Sequence, residues 1–555
     1  TEWTMSELNY INSKKNIILY LVLILTFGLG LRLYYFPYEV PIATDGFYFF
    51  VYAVKTISVN GLPIDYSTAN TGWANFLSVI FIFFDNTNPL HLMDVQRSVS
   101  VIISTVTVIP AFFIFKRFVN NNLALFGSLL FVIEPRLLLI SLEGINYSLF
   151  IFLFILSIAF FLKKTNFSLF FSFVCIALCT LIRYEGLLLV IPVSIMYFVK
   201  FRDKRSTLRF LGMIFVFTMI LLSVGILRMQ VTENICVEYI YGTVCGEDGF
   251  SNQFLSGFEY FYKYIITGEQ IGEYSDLTHD FHREVYDKPG QMMIGEAVIE
   301  SFSRIGKFLG LSLIPYFGFF IVFNLITRIQ NKKNFNFDSK VIIFCVSVML
   351  LPSLYAYMRG IDEIRYVLIL IPLFCLLSIS FKESINHRIL KDKRIFIILI
   401  LLPVIFSISF IEYQKRDYNS DMESFKVSQE IVSITNVTNV YHQGGYIKVA
   451  NLFNEWPELP EASLFYKIGI TGLLETDFKK ISTKSFEKLE DFIEKNRHDG
   501  LEYLVVDEET RLFSDLRQEP QEYPYLDKVF DSDDYDFINH YRIYKINYTV
   551  FDKND

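Results

Sequence analysis

Ionisable side chains stand at the ends of several long apolar stretches in this chain of 555 residues. Some are carboxylates, which can take a proton from a hydroxyl, and others are arginines, which bind phosphate through paired, charge-assisted hydrogen bonds. Charged groups at membrane depth are unfavourable and usually mark function. The pattern therefore indicates acid–base chemistry on a phosphate-bearing substrate whose tail stays in the bilayer. The candidate residues are Asp45, Glu143, Arg183, Glu185, Arg359 and Arg365.

Each candidate also has a purely structural interpretation. Asp45 could simply cap the helix that follows it. Glu143 could cap the next span or face solvent, and Arg365 could anchor a span by extending toward water. Arg183 and Glu185 could form a structural ion pair across a tight turn. The residue types alone leave both interpretations open.

A further polar group lies in the long segment 229–303. His279, Asp280 and His282 are metal-ligand types, and with the acidic residues around them they could hold a divalent cation such as Mg²⁺ or Mn²⁺. The alternative is a solvated loop, since a short histidine cluster without fixed spacing is a weak signal. A metal is not required if arginines neutralise the phosphate.

The six cysteines fall into two groups. Cys236 and Cys245 share a polar loop, and a disulfide between them is the expectation if that loop is extracytoplasmic; two free thiols are the alternative. The others lie inside apolar stretches, where cysteine behaves as a small hydrophobe. These are Cys175, Cys179, Cys345 and Cys375.

The elements that must position these side chains are membrane spans. Hydrophobic residues make up 52% of the chain, and the mean hydropathy is +0.38. Many stretches reach the roughly 20 apolar residues that cross a bilayer. The sequence predicts eleven spans near residues 16–35, 98–115, 122–140, 146–162, 167–182, 186–199, 207–228, 307–328, 340–358, 364–381 and 395–412.

The distribution of lysine and arginine predicts the orientation. With eleven spans, every basic loop falls on the same side, which should be the cytoplasmic one. The N-terminus then lies inside, and the segment after the last span lies outside. The basic residues that decide this include Lys14, Lys15, Lys116, Arg117, Lys163, Lys164, Lys200, Arg202, Lys332, Lys333, Arg388 and Lys391.

Two long outer loops follow from this count, at residues 36–97 and 229–303. Residues 72–84 are apolar but too short to cross comfortably, and counting them as a span would put the later basic loops outside. We therefore interpret them as an interfacial or re-entrant helix. Residues 47–58 are expected to form an amphipathic segment. Long ordered loops of this kind are usually functional.

The C-terminal part, residues 413–555, is expected to be a water-soluble extracytoplasmic α/β domain. It holds 28 acidic and 17 basic residues. A basic surface of the kind that binds nucleic acid is absent. Residues 439–446, 503–507 and 541–546 are expected to be strands, and residues 485–496 have helical spacing. The transmembrane part, residues 1–412, is expected to carry the chemistry.

In this arrangement the chain resembles the GT-C superfamily of membrane glycosyltransferases, which use polyprenyl-phosphate-linked sugars. The resemblance rests on the order of several segments. An early acidic residue, Asp45, follows the first span; residues 181–188 read Leu-Ile-Arg-Tyr-Glu-Gly-Leu-Leu; and Ile-Arg-Tyr at 364–366 precedes an apolar span with Pro372. Residues 500–507 resemble the outer domain of archaeal members. Protein O-mannosyltransferases, aminoarabinose transferases and oligosaccharyltransferases belong to this superfamily.

The resemblance implies a role for several residues. Asp45 matches by position the acidic residue that acts as the base or orients the acceptor. The superfamily also binds lipid phosphate with arginines near the membrane surface, and Arg365 is the candidate for that role. Arg183 and Glu185 match a recurrent stretch that shapes the site. The expected partners are a dolichyl- or polyprenyl-phosphate-linked sugar, a glycan or protein acceptor, and membrane lipid.

Two departures from the superfamily leave the acceptor open. The Trp-Trp-Asp-Tyr-Gly motif of oligosaccharyltransferases is absent, which argues against transfer of a whole oligosaccharide to asparagine. The early loop has one acidic residue where O-mannosyltransferases carry an Asp-Glu pair. An oligosaccharyltransferase-like enzyme remains an alternative, and so does a flippase for lipid-linked glycans. A flippase would place ionisable residues mid-span on paired broken helices.

Overall fold

The structure, a computed structural model, describes most of the N-terminal 415 residues and part of the segment that follows. The described ranges are 5–42, 44–58, 60–63, 70–84, 89–232, 294–321, 337–358, 363–379, 393–415, 449–451, 488–498, 500–506, 520–535 and 542–554, with single positions 418, 419, 422, 434, 516 and 540. The chain divides into two compact units. The first contains Thr1–Phe36, Ile64–Trp73 and Ser98–Lys415, and the second contains Pro37–Pro63, Ala74–Arg97 and Arg416–Asp555.

Helices dominate the first 415 residues. In chain order they are α1 (Met5–Tyr34), α2 (Thr44–Ser58), α3 (Gly72–Phe81), α4 (Pro89–Val106), α5 (Val108–Phe115), α6 (Asn121–Val132), α7 (Pro135–Leu142), α8 (Tyr147–Lys163), α9 (Asn166–Ile182), α10 (Val190–Lys200), α11 (Ser206–Thr232), α12 (Ile294–Leu313), α13 (Phe337–Met349), α14 (Leu351–Met358), α15 (Ile371–Ile379) and α16 (Lys393–Gln414). Short 3₁₀ helices, Tyr184–Leu189 and Ile364–Leu370, precede α10 and α15.

Five of the described helical stretches are long and apolar enough to cross a membrane, and a sixth is added if the bent pair α6–α7 is one span. Many of their apolar side chains are exposed, as lipid-facing helices require. The chain is therefore a multi-pass membrane protein. Helical residues occupy at least part of each of the eleven predicted ranges, but the number of spans stays a prediction. The five are Lys15–Tyr34, Leu90–Phe115, Ser206–Leu227, Phe337–Leu354 and Ile397–Gln414.

The bend between α6 and α7 has a local cause. The two helices meet at 47°, where Pro135 cannot donate a backbone hydrogen bond and so begins a new helix. Glu134 caps that helix by accepting from the Leu137 amide at 2.7 Å, and it pairs with Arg136 at 3.0 Å. Both charged side chains are buried.

Arg136 uses its remaining donors on the end of another helix. Its guanidinium donates to the carbonyls of Leu311 and Ile314, at 2.5 and 2.7 Å, at the C-terminal end of α12. It also lies 4.7 Å from the ring centroid of Phe410 on α16. Arginine suits this position because its five donors can satisfy several acceptors at once. The broken pair α6–α7 therefore joins two helices distant in sequence.

A second buried arginine ties the first helix to the bundle. Arg32 of α1 is 1% exposed. It donates to the carbonyls of Gly28 and Val132 at 3.1 and 3.0 Å, and to Ser104 Oγ at 3.0 Å. A guanidinium can be buried among apolar helices only where such acceptors surround it. These bonds connect α1 with α4 and α6.

Three of the predicted basic loops meet at one end of the first unit. Asp338, at the start of α13, accepts from Lys164 at 2.6 Å and from Arg117 at 3.3 Å. Lys164 and Lys200 also lie 5.0 and 5.6 Å from the ring centroid of Phe337. The ends of α5, α8 and α10 thus share one face, as the span count requires. Which side of the membrane that face occupies stays a prediction.

The C-terminal part of the second unit contains a mixed four-stranded sheet with helices. The strands are β1 (Val449–Asn451), β2 (Tyr503–Val506), β3 (Leu526–Asp531) and β4 (Arg542–Ile546), in the spatial order β1-β2-β4-β3. β1 and β2 are parallel, and the other pairs are antiparallel. Two helices, α17 (Leu489–Arg497) and α18 (Tyr548–Asn554), complete the elements described there. The domain division at residue 413 stays a prediction.

One apolar cluster holds these elements together. Phe492 and Ile493 of α17 pack with Leu504 and Val506 of β2, and each is fully buried. The α17 residues recur at helical spacing, as the sequence predicted for residues 485–496. The predicted strands at 503–507 and 541–546 are present as β2 and β4. β3 was not predicted, because its first residues are half-exposed or exposed and charged. The predicted strand at 439–446 lies outside the described residues.

We expect the two faces of the membrane to be distinguishable by cysteine labelling. Lys163→Cys lies on the face shared by the basic loops, and Lys495→Cys lies on an exposed position of α17. With the predicted orientation, a membrane-impermeant maleimide applied to intact cells labels Lys495→Cys only, and both positions after lysis. The unsubstituted chain reports background from its native cysteines. Labelling of Lys163→Cys in intact cells would show that the orientation is the opposite of the predicted one.

Candidate functional site

The turn that carries Arg183 is built by the end of α9. Arg183 is extended (φ −149°, ψ 129°), which stops the helix, and the chain re-enters as the 3₁₀ helix Tyr184–Leu189. Gly186 packs directly against the preceding helix: a Cβ there would lie 2.6 Å from the Thr180 amide nitrogen. Only glycine permits so close an approach. The turn is therefore packed closely against α9, and the side chains of Arg183 and Glu185 meet on one side of it.

Arg183 is held by a carboxylate, an amide and an aromatic ring. Its Nε and Nη2 donate to Glu185 Oε1 at 3.2 and 2.5 Å. Its Nη1 donates to Asn146 Oδ1 at 3.4 Å, and its guanidinium carbon lies 4.4 Å from the Tyr147 ring centroid. Glu185 is 5% exposed. The ion pair expected as the structural alternative is thus present, and both of its residues also line a cleft.

The turn that carries Arg365 has the same construction. Glu363 is extended (φ −122°, ψ 131°), and the 3₁₀ helix Ile364–Leu370 leads into α15. Arg365 Nη2 donates to Glu363 Oε1 at 3.1 Å, and its Nε contacts the other carboxylate oxygen. Ser353 Oγ of α14 donates to the Tyr366 carbonyl at 2.7 Å and fixes the turn. The Arg365 side chain is 25% exposed, so it does not serve only as a buried anchor.

Both turns open on one cleft within the first unit. The cleft is partly open to solvent, and about 330 Å³ of space free of protein atoms, open solvent included, lies among its lining residues. The lining combines cations, a carboxylate, hydroxyls and aromatic rings with apolar side chains, a composition that suits a ligand with a polar head and an apolar tail. The polar lining residues are Tyr147, Arg183, Glu185, Ser353, Arg365 and Tyr366, and the apolar ones are Phe150, Ile151, Met349, Pro352 and Ile369.

Asp45 belongs to the second unit. It lies in the first turn of α2 and is partly exposed. A carboxylate at this position interacts favourably with the helix dipole, so the position fits the structural interpretation as well as a chemical one. Most of the helix behind it is buried, including Phe47, Phe50 and Tyr52. The predicted amphipathic segment is therefore a helix that is embedded on most of its surface.

The loop that leads to Asp45 is fixed by α4. Arg97 donates to the carbonyls of Val40 and Pro41, at 2.5 and 2.8 Å. Asp94 accepts from the Glu39 amide at 3.2 Å and pairs with Arg97 at 3.5 Å. Backbone carbonyls in a loop need such partners when they leave water. The position of Asp45 at the start of α2 is thus set by a buried arginine.

The other predicted site residues are placed as follows. Glu143 is exposed in the turn between α7 and α8, beside Gly144, whose carbonyl accepts from the buried Trp73 indole at 2.9 Å. Cys175, Cys179, Cys345 and Cys375 are buried free thiols. Within the described part of the chain, no group of three metal-ligating side chains comes together. Arg359, His279, Asp280, His282, Cys236 and Cys245 lie outside the described residues.

Sequence reasoning missed several residues of the cleft. Asn146 and Tyr147 stand at the start of the apolar helix α8. Two polar residues in a row before an apolar stretch were the signal that could have identified them. Tyr366 directly follows Arg365 but looked like part of the next span. Arg97 was treated only as the end of a loop. The sequence around it, Asp-Val-Gln-Arg-Ser-Val-Ser at 94–100, is largely polar and gave no sign that Arg97 would be buried.

Comparison with known proteins identifies the fold. No protein-family model matches the sequence, and no curated protein matches it. Among solved structures, it is similar to the oligosaccharyltransferase AglB from Archaeoglobus fulgidus in complex with an inhibitory peptide and a dolichol-phosphate, with 12% identity, a TM-score of 0.53, and coverage of 89% of this chain and 70% of that one. The same enzyme in complex with Zn and sulfate gives 14% identity, a TM-score of 0.53, and coverage of 88% and 68%.

These likenesses extend over most of the chain. Because oligosaccharyltransferases are GT-C enzymes, this chain has the fold of the GT-C membrane glycosyltransferases. The resemblance stated from the sequence motifs is therefore confirmed at the level of fold. At identities of this size the likeness shows the fold alone, so the donor and the acceptor are matters for proposal.

We expect Arg97→Met to loosen the loop before Asp45. The substitution keeps the apolar stem but leaves the Val40 and Pro41 carbonyls without their donor, a loss of about 1–3 kcal/mol for buried groups. Limited proteolysis of the detergent-solubilised protein should show faster cleavage between residues 37 and 43. Arg209→Met, which removes an exposed arginine of α11, serves as the control. Equal cleavage rates in the two variants would contradict the anchoring role.

Proposed function

We propose that the protein transfers one sugar from a dolichyl- or polyprenyl-phosphate donor to an acceptor hydroxyl on the outer face of the membrane. The observation that carries the proposal is the convergence of Arg183 and Arg365 on one cleft of a GT-C fold. Two arginine residues together with apolar side chains in one lining suit a phosphate attached to a lipid.

In the proposed reaction the acceptor oxygen attacks the anomeric carbon of the donor sugar. The bond between that carbon and the phosphate oxygen breaks, and the bond electrons stay on the departing polyprenyl phosphate. Asp45 takes the proton of the acceptor hydroxyl. A single displacement of this kind inverts the anomeric configuration. Arg365 and Arg183 stabilise the negative charge that develops on the phosphate.

The neighbours lend support to the chemical class of the partners. AglB was solved with an inhibitory peptide and a dolichol-phosphate, so a fold of this kind can hold a lipid phosphate and a peptide. For this chain both a glycan and a protein are retained as acceptors. The donor sugar remains to be chosen by assay with a panel of polyprenyl-phosphate sugars.

A second candidate is an oligosaccharyltransferase-like enzyme, which the likeness to AglB favours. Such an enzyme would transfer a preassembled glycan to an asparagine amide rather than a sugar to a hydroxyl. A peptide carrying an Asn-X-Thr sequon and its Asn→Gln counterpart separate the two candidates. Glycosylation that requires the asparagine would select the second one. The absence of the Trp-Trp-Asp-Tyr-Gly motif from the sequence favours the first.

We expect Asp45→Asn to abolish sugar transfer. The amide keeps the size and the capping oxygen of the side chain but has no basic carboxylate to accept the hydroxyl proton. The measurement is turnover of the purified protein with polyprenyl-phosphate sugars, with thermal unfolding to show that the variant is folded. Asp203→Asn, an exposed carboxylate near the basic loops, is the matched control. Turnover at the wild-type rate would remove Asp45 from the mechanism.

We expect Arg365→Ala to weaken binding of a polyprenyl phosphate by at least about tenfold. A charge-assisted hydrogen bond to phosphate contributes about 1.5–3 kcal/mol, and about 1.4 kcal/mol corresponds to a tenfold change in affinity. Binding is measured by tryptophan fluorescence or microscale thermophoresis in detergent. Arg209→Ala removes another arginine that has its own carboxylate partner, Asp203, and should bind normally. Equal affinities of Arg365→Ala and Arg209→Ala would exclude Arg365 from the phosphate site.

A further inference from the structure

One buried hydroxyl of the cleft has no hydrogen-bond partner among the residues that the structure describes. It belongs to Tyr147, which stands at the start of α8, is 5% exposed and lines the cleft. The ring of Tyr147 is held by two contacts. The guanidinium carbon of Arg183 lies 4.4 Å from its centroid, and the Phe150 ring meets it edge to face at 6.4 Å. The ring therefore fixes this side chain without help from the hydroxyl.

Other buried tyrosines use their hydroxyls within the protein. Tyr197 donates to the Ser206 carbonyl at 3.0 Å, and Tyr316 donates to the Leu130 carbonyl at 2.8 Å. A buried hydroxyl without such a partner is unfavourable and calls for an explanation. Because Tyr147 lines a cleft that is partly open, its hydroxyl can be bonded by whatever enters the cleft.

The chemistry around the ring indicates what this partner is. Arg183 and Arg365, in the same lining, have N–H donors and no acceptors. A ligand group placed against them must accept hydrogen bonds, as the oxygens of an ionised phosphate do. Since the guanidinium of Arg183 lies over the Tyr147 ring, a phosphate bound there is within reach of the phenol. A sugar hydroxyl could also accept from the phenol, but a bond to a charged acceptor is stronger.

We propose that Tyr147 is a donor-binding residue: its hydroxyl donates a hydrogen bond to a phosphate oxygen of the polyprenyl-phosphate donor. This inference rests on the proposed function and adds an uncharged donor to the phosphate site. Each arginine of the lining is paired with a carboxylate, whereas a hydroxyl needs no counter-charge. Binding of the phosphate gives this hydroxyl the partner that the described residues do not provide.

Tyr147→Phe tests the hydroxyl, because it keeps the ring against Arg183. Dissociation constants of dolichyl phosphate and of dolichol, the same lipid without phosphate, are measured on the detergent-solubilised protein by microscale thermophoresis. The variant should bind dolichyl phosphate about tenfold more weakly than the wild type, as expected for loss of a hydrogen bond to a charged group. Its affinity for dolichol should be unchanged. Its melting temperature should equal or exceed that of the wild type, because no hydrogen bond within the described part of the protein is lost.

Tyr316→Phe is the matched control. It removes a similarly buried tyrosine hydroxyl, but one that bonds to the Leu130 carbonyl and lies outside the cleft lining. This variant should melt at a lower temperature than the wild type and bind dolichyl phosphate with the wild-type affinity. The two variants therefore change different quantities, which separates a hydroxyl that binds a ligand from one that stabilises the fold.

The outcomes separate this inference from the proposed function. A wild type that binds dolichyl phosphate no more tightly than dolichol has no lipid-phosphate site, and both proposals fall. If the wild type prefers dolichyl phosphate and Tyr147→Phe binds it equally well, only the role of Tyr147 is wrong. A Tyr147→Phe variant that binds both lipids more weakly to the same extent, or melts below the wild type, would also overturn that role. The hydroxyl would then contact the lipid tail or stabilise the fold.

Discussion

A charge placed among apolar helices must find its counter-charge or its hydrogen-bond acceptors inside the protein, because lipid offers none. Much of the first unit can be understood from this constraint. Three arginines pair with a glutamate two residues away, which are the pairs Glu134–Arg136, Arg183–Glu185 and Glu363–Arg365. Arg32 has no such neighbour and is held instead by backbone carbonyls and Ser104.

An ion pair between two residues that are two positions apart in these helical segments needs an irregular backbone. In an α-helix, residues two apart point to different faces, so a pair of this kind requires a helix end. At Glu134 the helix is interrupted by proline, and at Arg183 and Glu363 by one extended residue followed by a 3₁₀ helix. The interruptions at Arg183 and Glu363 also place polar side chains at the cleft. Pairing the charges and building the cleft are thus one structural solution.

The three pairs differ in what remains for a ligand. Arg136 uses its donors on carbonyls at the C-terminal end of α12 and ties that end to α7. Arg183 and Arg365, in contrast, both line the cleft. The composition of a motif therefore does not decide its role; the acceptors within reach of the arginine do. The same reasoning makes Arg97 a support for the loop before Asp45 rather than a binding group.

Several features could be predicted from the sequence by itself. Apolar length predicted helices, the spacing of basic residues predicted which loops share a face, and the contacts around Asp338 agree with that prediction. The order of motifs predicted the GT-C fold. The spacing of apolar residues identified α17, β2 and β4, because an element with one or both faces buried repeats its apolar residues at a characteristic interval in the sequence. β3 escaped because half-exposed strand residues leave no such pattern.

Only the tertiary structure decided which charges meet. Arg183 and Arg365 are 182 residues apart in sequence, and nothing local indicates that their turns open on one cleft. Nor could the sequence show that Glu185 is buried while Glu363 is exposed, because burial depends on the helices packed around each turn. Residue types and helix lengths are local properties that can be read from the sequence. Which charges meet in a cleft depends on long-range packing, which the sequence does not show directly.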